Sequence, residues 1–184
     1  MSKKFTTGLC RLSYAHIFHP AVDPSGNERY SASLIISKDD KKTITRYKAL
    51  IEEMQKDPEV VKILGKGTNY RTPLRDGDEE RAEDAAYANS YFLNAKANTE
   101  HKPRVIDRDK QEVVDPSEVY SGCYVQAVVS FYPYNKGGNK GIGCSLSAIR
   151  KIKDGKPLTG AVVTDSDFDD DLLGGDLSGM EDLF

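Results

Sequence analysis

No stretch of this 184-residue chain stays apolar over the ~18 residues that a membrane-crossing helix needs. The start, Met1-Ser2-Lys3-Lys4-Phe5, is not followed by an apolar segment, so no secretory signal is expected. Cysteine is scarce: Cys10, Cys123 and Cys144 are widely spaced, odd in number and form no C-x-x-C pair. That argues against zinc-finger and thiol-redox motifs and fits a reducing cytosol. His16 and His19 face opposite sides of an extended strand, and only His101 remains, so no zinc site is expected. No G-x-S-x-G nucleophile context occurs. Gly65-Lys66-Gly67-Thr68 departs from the phosphate-loop spacing and follows a helix, where a helix stop is the natural reading. Gly141-Ile142-Gly143 lacks the third glycine of a dinucleotide fingerprint. Asp165-x-Asp167-x-Asp169 opens like a calcium loop, but Asp170 stands where glycine is required. No catalytic residue, metal ligand or cofactor is therefore expected.

The apolar fraction of 38% is low, yet too high for a chain disordered throughout. Charge is distributed unevenly. The last twenty residues hold eight of the 29 acids and no Lys or Arg. Residues 1–164 thus carry a formal +5 and the tail −8, which the overall −3 conceals. Six further acids cluster in 76–84, opposed only by Arg81.

The periodicity is mostly that of strands. Phe5 to Phe18 reads as one long strand bent at Gly8, and Asp23-Pro24-Ser25-Gly26-Asn27 as a turn. Arg29 to Ser37 forms a second strand with Tyr30, Ala32, Leu34 and Ile36 on one face. Ile44, Tyr47, Ile51 and Met54 then recur at helical spacing, with Ser37 and Asp40 placed to cap the start. Asp57-Pro58 predicts the cap and first position of a second helix reaching Leu64. Residues 68–84 read as an exposed acidic loop. Strands resume at Tyr91, with Leu93, Ala95 and Ala97 on one face, and a short one follows at Arg104-Val105-Ile106. From Gly122 to Tyr134, Cys123, Val125, Ala127, Val129 and Phe131 alternate with Tyr124, Gln126, Val128, Ser130 and Tyr132. A flexible basic loop over 135–141 leads to the last strand, Ile142 to Ile152. The expected fold is mainly β: an OB-like five-stranded barrel spanning 1–160, with a helical insertion at about 39–64 and an acidic loop at about 68–84. A flexible acidic tail, 161–184, follows it. A sandwich fits the same pattern.

The strand that displays tyrosines opposite a fully apolar face carries the functional signal. Single-stranded nucleic acid needs aromatic faces for its bases and cations for its phosphates. The candidates for stacking are Tyr124, Tyr132, Tyr134 and Phe92. Those for phosphate contact are Lys96, Arg104, Lys136, Lys140 and Arg150, with Lys136 and Lys140 placed to close over the strand. Each tyrosine alone is as well explained as an ordinary strand residue. In the tail, Asp169, Asp170 and Asp171 lead to Glu181, Asp182, Leu183 and Phe184. A solvating tail gains nothing from a terminal Leu-Phe, which suits a pocket on a partner.

Residues 120–134 and 140–151, with the basic β body, the Gly/Asp tail and the final Phe, resemble phage single-stranded DNA-binding proteins of the OB-fold type. The likeness extends to a phage family long catalogued as a domain of unknown function. It implies an OB fold, sequence-tolerant binding of single-stranded DNA during phage replication, recombination or repair, and a location in the cytoplasm of the infected host. It further implies a tail used in replication contacts. The opposite charges of body and tail suggest a tail that competes with DNA for the basic groove and, once displaced, recruits replication proteins such as DNA polymerase or helicase-primase. The chain would act as a monomer or homodimer without membrane contact. Two other classes are compatible with the composition: an acidic, DNA-mimicking adaptor or inhibitor of a host protein, and a metal-dependent hydrolase or nuclease using tail carboxylates.

Overall fold

Gly8 divides the amino-terminal strand instead of bending it. The computed structural model describes residues 2–158. In it β1 (Lys3–Thr6) and β2 (Cys10–Val22) are separate elements. Both pair with β7 (Tyr124–Lys136): Thr6 lies opposite Val128 and Cys10 opposite Val125. One extra residue is thus bulged out at Gly8-Leu9, which leaves Leu9 exposed. A side chain at Gly8 would come within 3.1 Å of Thr43 Oγ1, so the bulge also lets a helix approach.

The remaining elements follow in order. β3 (Glu28–Ser37) leads into α1 (Lys41–Lys56) and α2 (Pro58–Leu64). β4 (Leu74–Asp76), α3 (Gly77–Glu80) and a 3-10 turn (Ala85–Tyr87) precede β5 (Ser90–Asn98). β6 (Arg104–Ile106), β7 and β8 (Asn139–Lys153) complete the described chain. The sheet closes on itself through β7, β2, β3, β5 and β8, with β8 returning to β7. All contacts in this ring are antiparallel except β5 against β8, where Lys96 lies opposite Ser145. β1, β6 and β4 attach to β7, β8 and β5. The architecture is mainly β and OB-like, as the strand pattern predicts. Among the described residues no helix is long and apolar enough to cross a membrane.

Alternation decides what lies inside. Val125, Ala127, Val129 and Phe131 are buried, whereas Tyr124, Gln126, Val128, Ser130 and Tyr132 are half-exposed. α1 packs on the core through Ile44, Tyr47, Ile51 and Met54, all buried. The Phe5 ring meets Phe131 edge-on at 4.8 Å and lies 5.3 Å from Tyr47. The α1 cap is Asp40, which accepts from Thr43 N, while Ser37 Oγ accepts from Asp39 N instead. Asp57 caps α2 by accepting from Glu59 N, and Pro58 fills its first turn. The three thiols are buried, and burial pushes Cys10 up to about 12, so it stays protonated.

Two segments differ from expectation. Residues 135–141 are no loose loop. Strand pairing runs on to Lys136 and Asn139, and Gly137-Gly138 turn the chain with φ of 59° and 90°. Two positive φ values define the tight hairpin turn that matches strand twist, and glycine takes them without strain.

The acidic stretch is also folded. β4 pairs with β5, and the acids become caps: Asp76 accepts from Asp78 N and Asp84 from Ala86 N. Lys38 bridges Asp76 at 2.8 Å and Asp78 at 2.7 Å, and Arg75 clamps Glu80. Tyr87 is fully buried on the outer side of the sheet, where it donates to Ser33 Oγ at 2.9 Å and packs on Phe92 and Ile35.

The tether is testable. The hydrogen bond donated by Lys38 holds the Asp78 carboxyl below its ordinary range, and donating to Asp76 and Asp78 raises the Lys38 ammonium. A depressed acid contributes above its unfolded pKa and loses that contribution as pH falls through the folded value. A raised base loses it only as pH rises above the unfolded lysine range. The tether is thus complete between roughly pH 4 and pH 10. Lys38→Met is expected to speed amide exchange over 77–89 by about two- to fivefold at neutral pH, the range of partly exposed ion pairs. Exchange unchanged from wild type would show that the ammonium holds nothing there.

Candidate nucleic-acid interface

The outward side of β7 meets two glycines on β8. Tyr132 lies opposite Gly143, and Tyr134 opposite Gly141. A Cβ built on Gly143 would come within 2.7 Å of the Tyr132 ring, and one on Gly141 within 2.5 Å of the Arg71 carbonyl oxygen and 3.0 Å of the Tyr134 hydroxyl. The missing side chains therefore let both rings fold across the hairpin. Their centroids are 6.2 Å apart, tilted by 52°. Both are half-exposed, so the pair forms a platform open to solvent. Burial raises the Tyr132 phenol above its ordinary value, so the ring is neutral at working pH. Gly143→Val is expected to lift Tyr132 off the sheet and weaken binding of any ligand stacked there by about tenfold, one stacking contact. A hairpin that keeps wild-type affinity with valine at 143 would contradict the platform.

Basic residues lie on the neighbouring strands. Lys96 is exposed on β5, between Ser31 of β3 and Ser145 of β8. The Arg29 charge reaches Tyr132, where it opposes the upward shift; its guanidinium bonds Asp23 and Asn98. Arg75, clamped to Glu80, lines a cleft of about 430 Å³ with Arg71, Thr72, Leu74, Asp76, Glu79 and Tyr91.

The other candidates are placed elsewhere. Tyr124 is on the same side of β7 but eight residues from Tyr132, about 26 Å of extended strand. Its ring lies between Arg11 at 5.9 Å and Lys153 at 4.7 Å, with Gly155 packed on its edge. Phe92 is 2% exposed, its ring committed to Tyr87 and Ile35, which removes the face a base would need. Arg104 pairs with Glu112. Lys140 donates to the Leu64 carbonyl at 2.7 Å, at the end of α2, and Arg150 donates to the Arg108 carbonyl. Lys136 is exposed at the end of β7. The structure thus brings Tyr132 and Tyr134 together near Lys96, and ties Arg104, Lys140 and Arg150 to the protein itself. The tail candidates Asp169, Asp170, Asp171, Glu181, Asp182, Leu183 and Phe184 lie outside the described residues.

Arg29, Arg71 and Arg75 were missed from sequence. Arg29 was legible: Tyr30 and Ala32 point inward, so their odd-numbered neighbours point out. Neither Arg71 nor Arg75 carries a local signal: Arg75 comes here only by the pairing of β4 with β5, and Arg71 by its bridge to Gly141, where Ile142 N donates to the Arg71 carbonyl.

An OB-like ring with an outward aromatic platform and adjoining cations belongs to the oligomer-binding class of small barrels. Within that class, the chain belongs to the family described as "Enterobacter phage Enc34, ssDNA-binding protein", which matches residues 3–178. The resemblance drawn from 120–151 and the tail holds at that level. A relative from Acyrthosiphon pisum secondary endosymbiont phage 1, putative protein p50, is 34% identical over 170 residues, covering 88% of this chain and 90% of its own. The fold is similar to that of the single-stranded DNA-binding protein from bacteriophage Enc34 solved in complex with ssDNA. That match has a TM-score of 0.66 at 23% identity and covers 85% of this chain and 89% of the other. It is also similar to gp2.5, a single-stranded DNA-binding protein encoded by bacteriophage T7. There the TM-score is 0.59 at 16% identity, with 91% and 93% covered.

Proposed function

We propose that this chain binds single-stranded DNA without strong sequence preference and acts by coating it, not by catalysis, in phage DNA replication, recombination or repair. The observation that carries the reading is the pair of rings, Tyr132 and Tyr134, laid over Gly143 and Gly141 on an outward sheet face. Bases stack on such rings whatever their identity, because every base has a π-face. Lys96 and Lys136, both exposed, supply positive charge along the same side. Family membership and a similarly folded relative solved with ssDNA support the assignment.

The acidic tail, with Asp169, Asp170 and Asp171, competes with DNA for this basic face. When DNA displaces it, Leu183 and Phe184 become available to a replication protein such as DNA polymerase or helicase-primase, in the cytoplasm of the infected host. Anisotropy titrations of labelled mixed-sequence ssDNA with full-length protein and with residues 1–164, at two salt concentrations, test this. Salt-sensitive binding that tightens on tail removal supports the reading. Equal affinity of both forms at low salt would sink the competition. No binding by either form would favour the acidic adaptor. Removing Phe184 alone should leave DNA binding intact and abolish capture of the replication partner.

A further inference from the structure

Tyr14 has φ of 44°, in the left-handed region that bulky residues avoid. It sits in a bulge of β2, between the pairs Ser13–Ser33 and His16–Ser31. Ala15 N, within the bulge, donates to Ser121 Oγ at 3.1 Å, so the irregular backbone is held in place. Yet the ring remains 49% exposed and therefore contributes little to the core. A strained conformation that displays an aromatic ring instead of burying it needs another reason.

The ring's inner face meets a guanidinium. Arg81 Cζ lies 5.1 Å from the Tyr14 centroid, 5.0 Å from Tyr87 and 5.3 Å from Phe92. Its Nε is buried with no hydrogen-bond partner among the described residues. Glu80, the neighbouring acid, is clamped by Arg75. A guanidinium stacked on rings keeps its in-plane edge for an anion, and phosphate matches that edge.

The position continues the proposed DNA path. Register places His16, Ser31, Lys96 and Ser145 on successive strands β2, β3, β5 and β8. That line crosses about 14 Å at the usual strand spacing. It runs from beside Tyr14 to beside Gly143, where Tyr132 rests. We propose that Tyr14 and Arg81 form a second nucleotide position of the single-stranded DNA site. A base stacks on the exposed face of Tyr14, and the adjoining phosphate takes the terminal guanidinium nitrogens of Arg81, whose Nε is enclosed. This rests on the reading of the chain as a single-stranded DNA-binding protein and extends its contact surface to the acidic insertion.

Tyr14→Gly separates function from folding, because glycine accepts positive φ without strain. Full-length variants are titrated with oligo(dT) of about 4 and about 16 nucleotides, the extremes of OB-fold site size. Tyr14→Gly should keep or raise Tm, bind the short oligomer as wild type does, and lose about tenfold on the long one. Arg81→Met should lower the slope of log K against log salt on the long oligomer by about 0.7, one phosphate contact. Wild-type affinity of Tyr14→Gly for both lengths, with Tyr132→Ala impaired, overturns this inference alone. Equal losses at both lengths with a lowered Tm make Tyr14 a structural support and also overturn it. If Tyr132→Ala and Tyr134→Ala bind as wild type too, the DNA platform itself fails.

Discussion

Replacing Tyr132 and Tyr134 together by alanine is expected to weaken single-stranded DNA binding by about a hundredfold or more. Each stacked base contributes about 1–3 kcal/mol, and tenfold in affinity corresponds to about 1.4 kcal/mol. Both rings lie outside the buried core, and circular dichroism at the titration temperature checks that the variant stays folded. Tyr132→Phe should retain binding, because the phenol is neutral and the ring does the stacking. Anisotropy titrations at fixed salt check both variants. A double alanine variant within a few-fold of wild type would remove the rings from the account.

One residue away, the expected effect changes from binding to stability. Phe131 is fully buried, with Phe5 at 4.8 Å and Tyr47 at 6.4 Å. Phe131→Ala should cost about 3–5 kcal/mol, the usual range for deleting a core phenylalanine. The cavity has little means to collapse, since β7 is paired with β1 on one side and β8 on the other. At about 2–4 °C per kcal/mol for a chain of this size, Tm should fall by roughly 6–20 °C. Below the new transition, DNA affinity should stay near wild type, because Tyr132 and Tyr134 keep their glycine supports. Thermal unfolding followed by circular dichroism decides it: a fall under about 2 °C would mean the ring is not in the core.

Adjacent residues with opposite fates are what an alternating strand produces, and that part was legible in the sequence. The apolar set from Cys123 to Phe131 and the helical stripe from Ile44 to Met54 are all buried. Asp57-Pro58 marked the start of α2 because the cap and the proline act locally. Alternation assigns a face, however, and not a neighbourhood. Tyr124 shares the parity of Tyr132 but sits at the far end of a long strand, with cations from β2 and β8 over its ring. The same limit applies to the basic residues. Lys140 and Arg150 reach backbone carbonyls of α2 and of the turn after β6, which only the tertiary fold brings near. Residues 68–84 resembled a loop because their acids are local caps and distant ion pairs, features with no hydrophobic period. The division at Gly8 depends on α1 packing beside it, again a tertiary cause.

The central claim is that single-stranded DNA crosses the outer sheet face at Tyr132 and Tyr134. Photo-cross-linking of a bromodeoxyuridine-substituted oligomer to the full-length protein, with the adducts mapped by mass spectrometry, tests it most directly. The account predicts adducts on Tyr132 or Tyr134, reduced by competing unlabelled ssDNA. Adducts confined to the outer face of α1, or to residues remote from the β7–β8 hairpin, would contradict it.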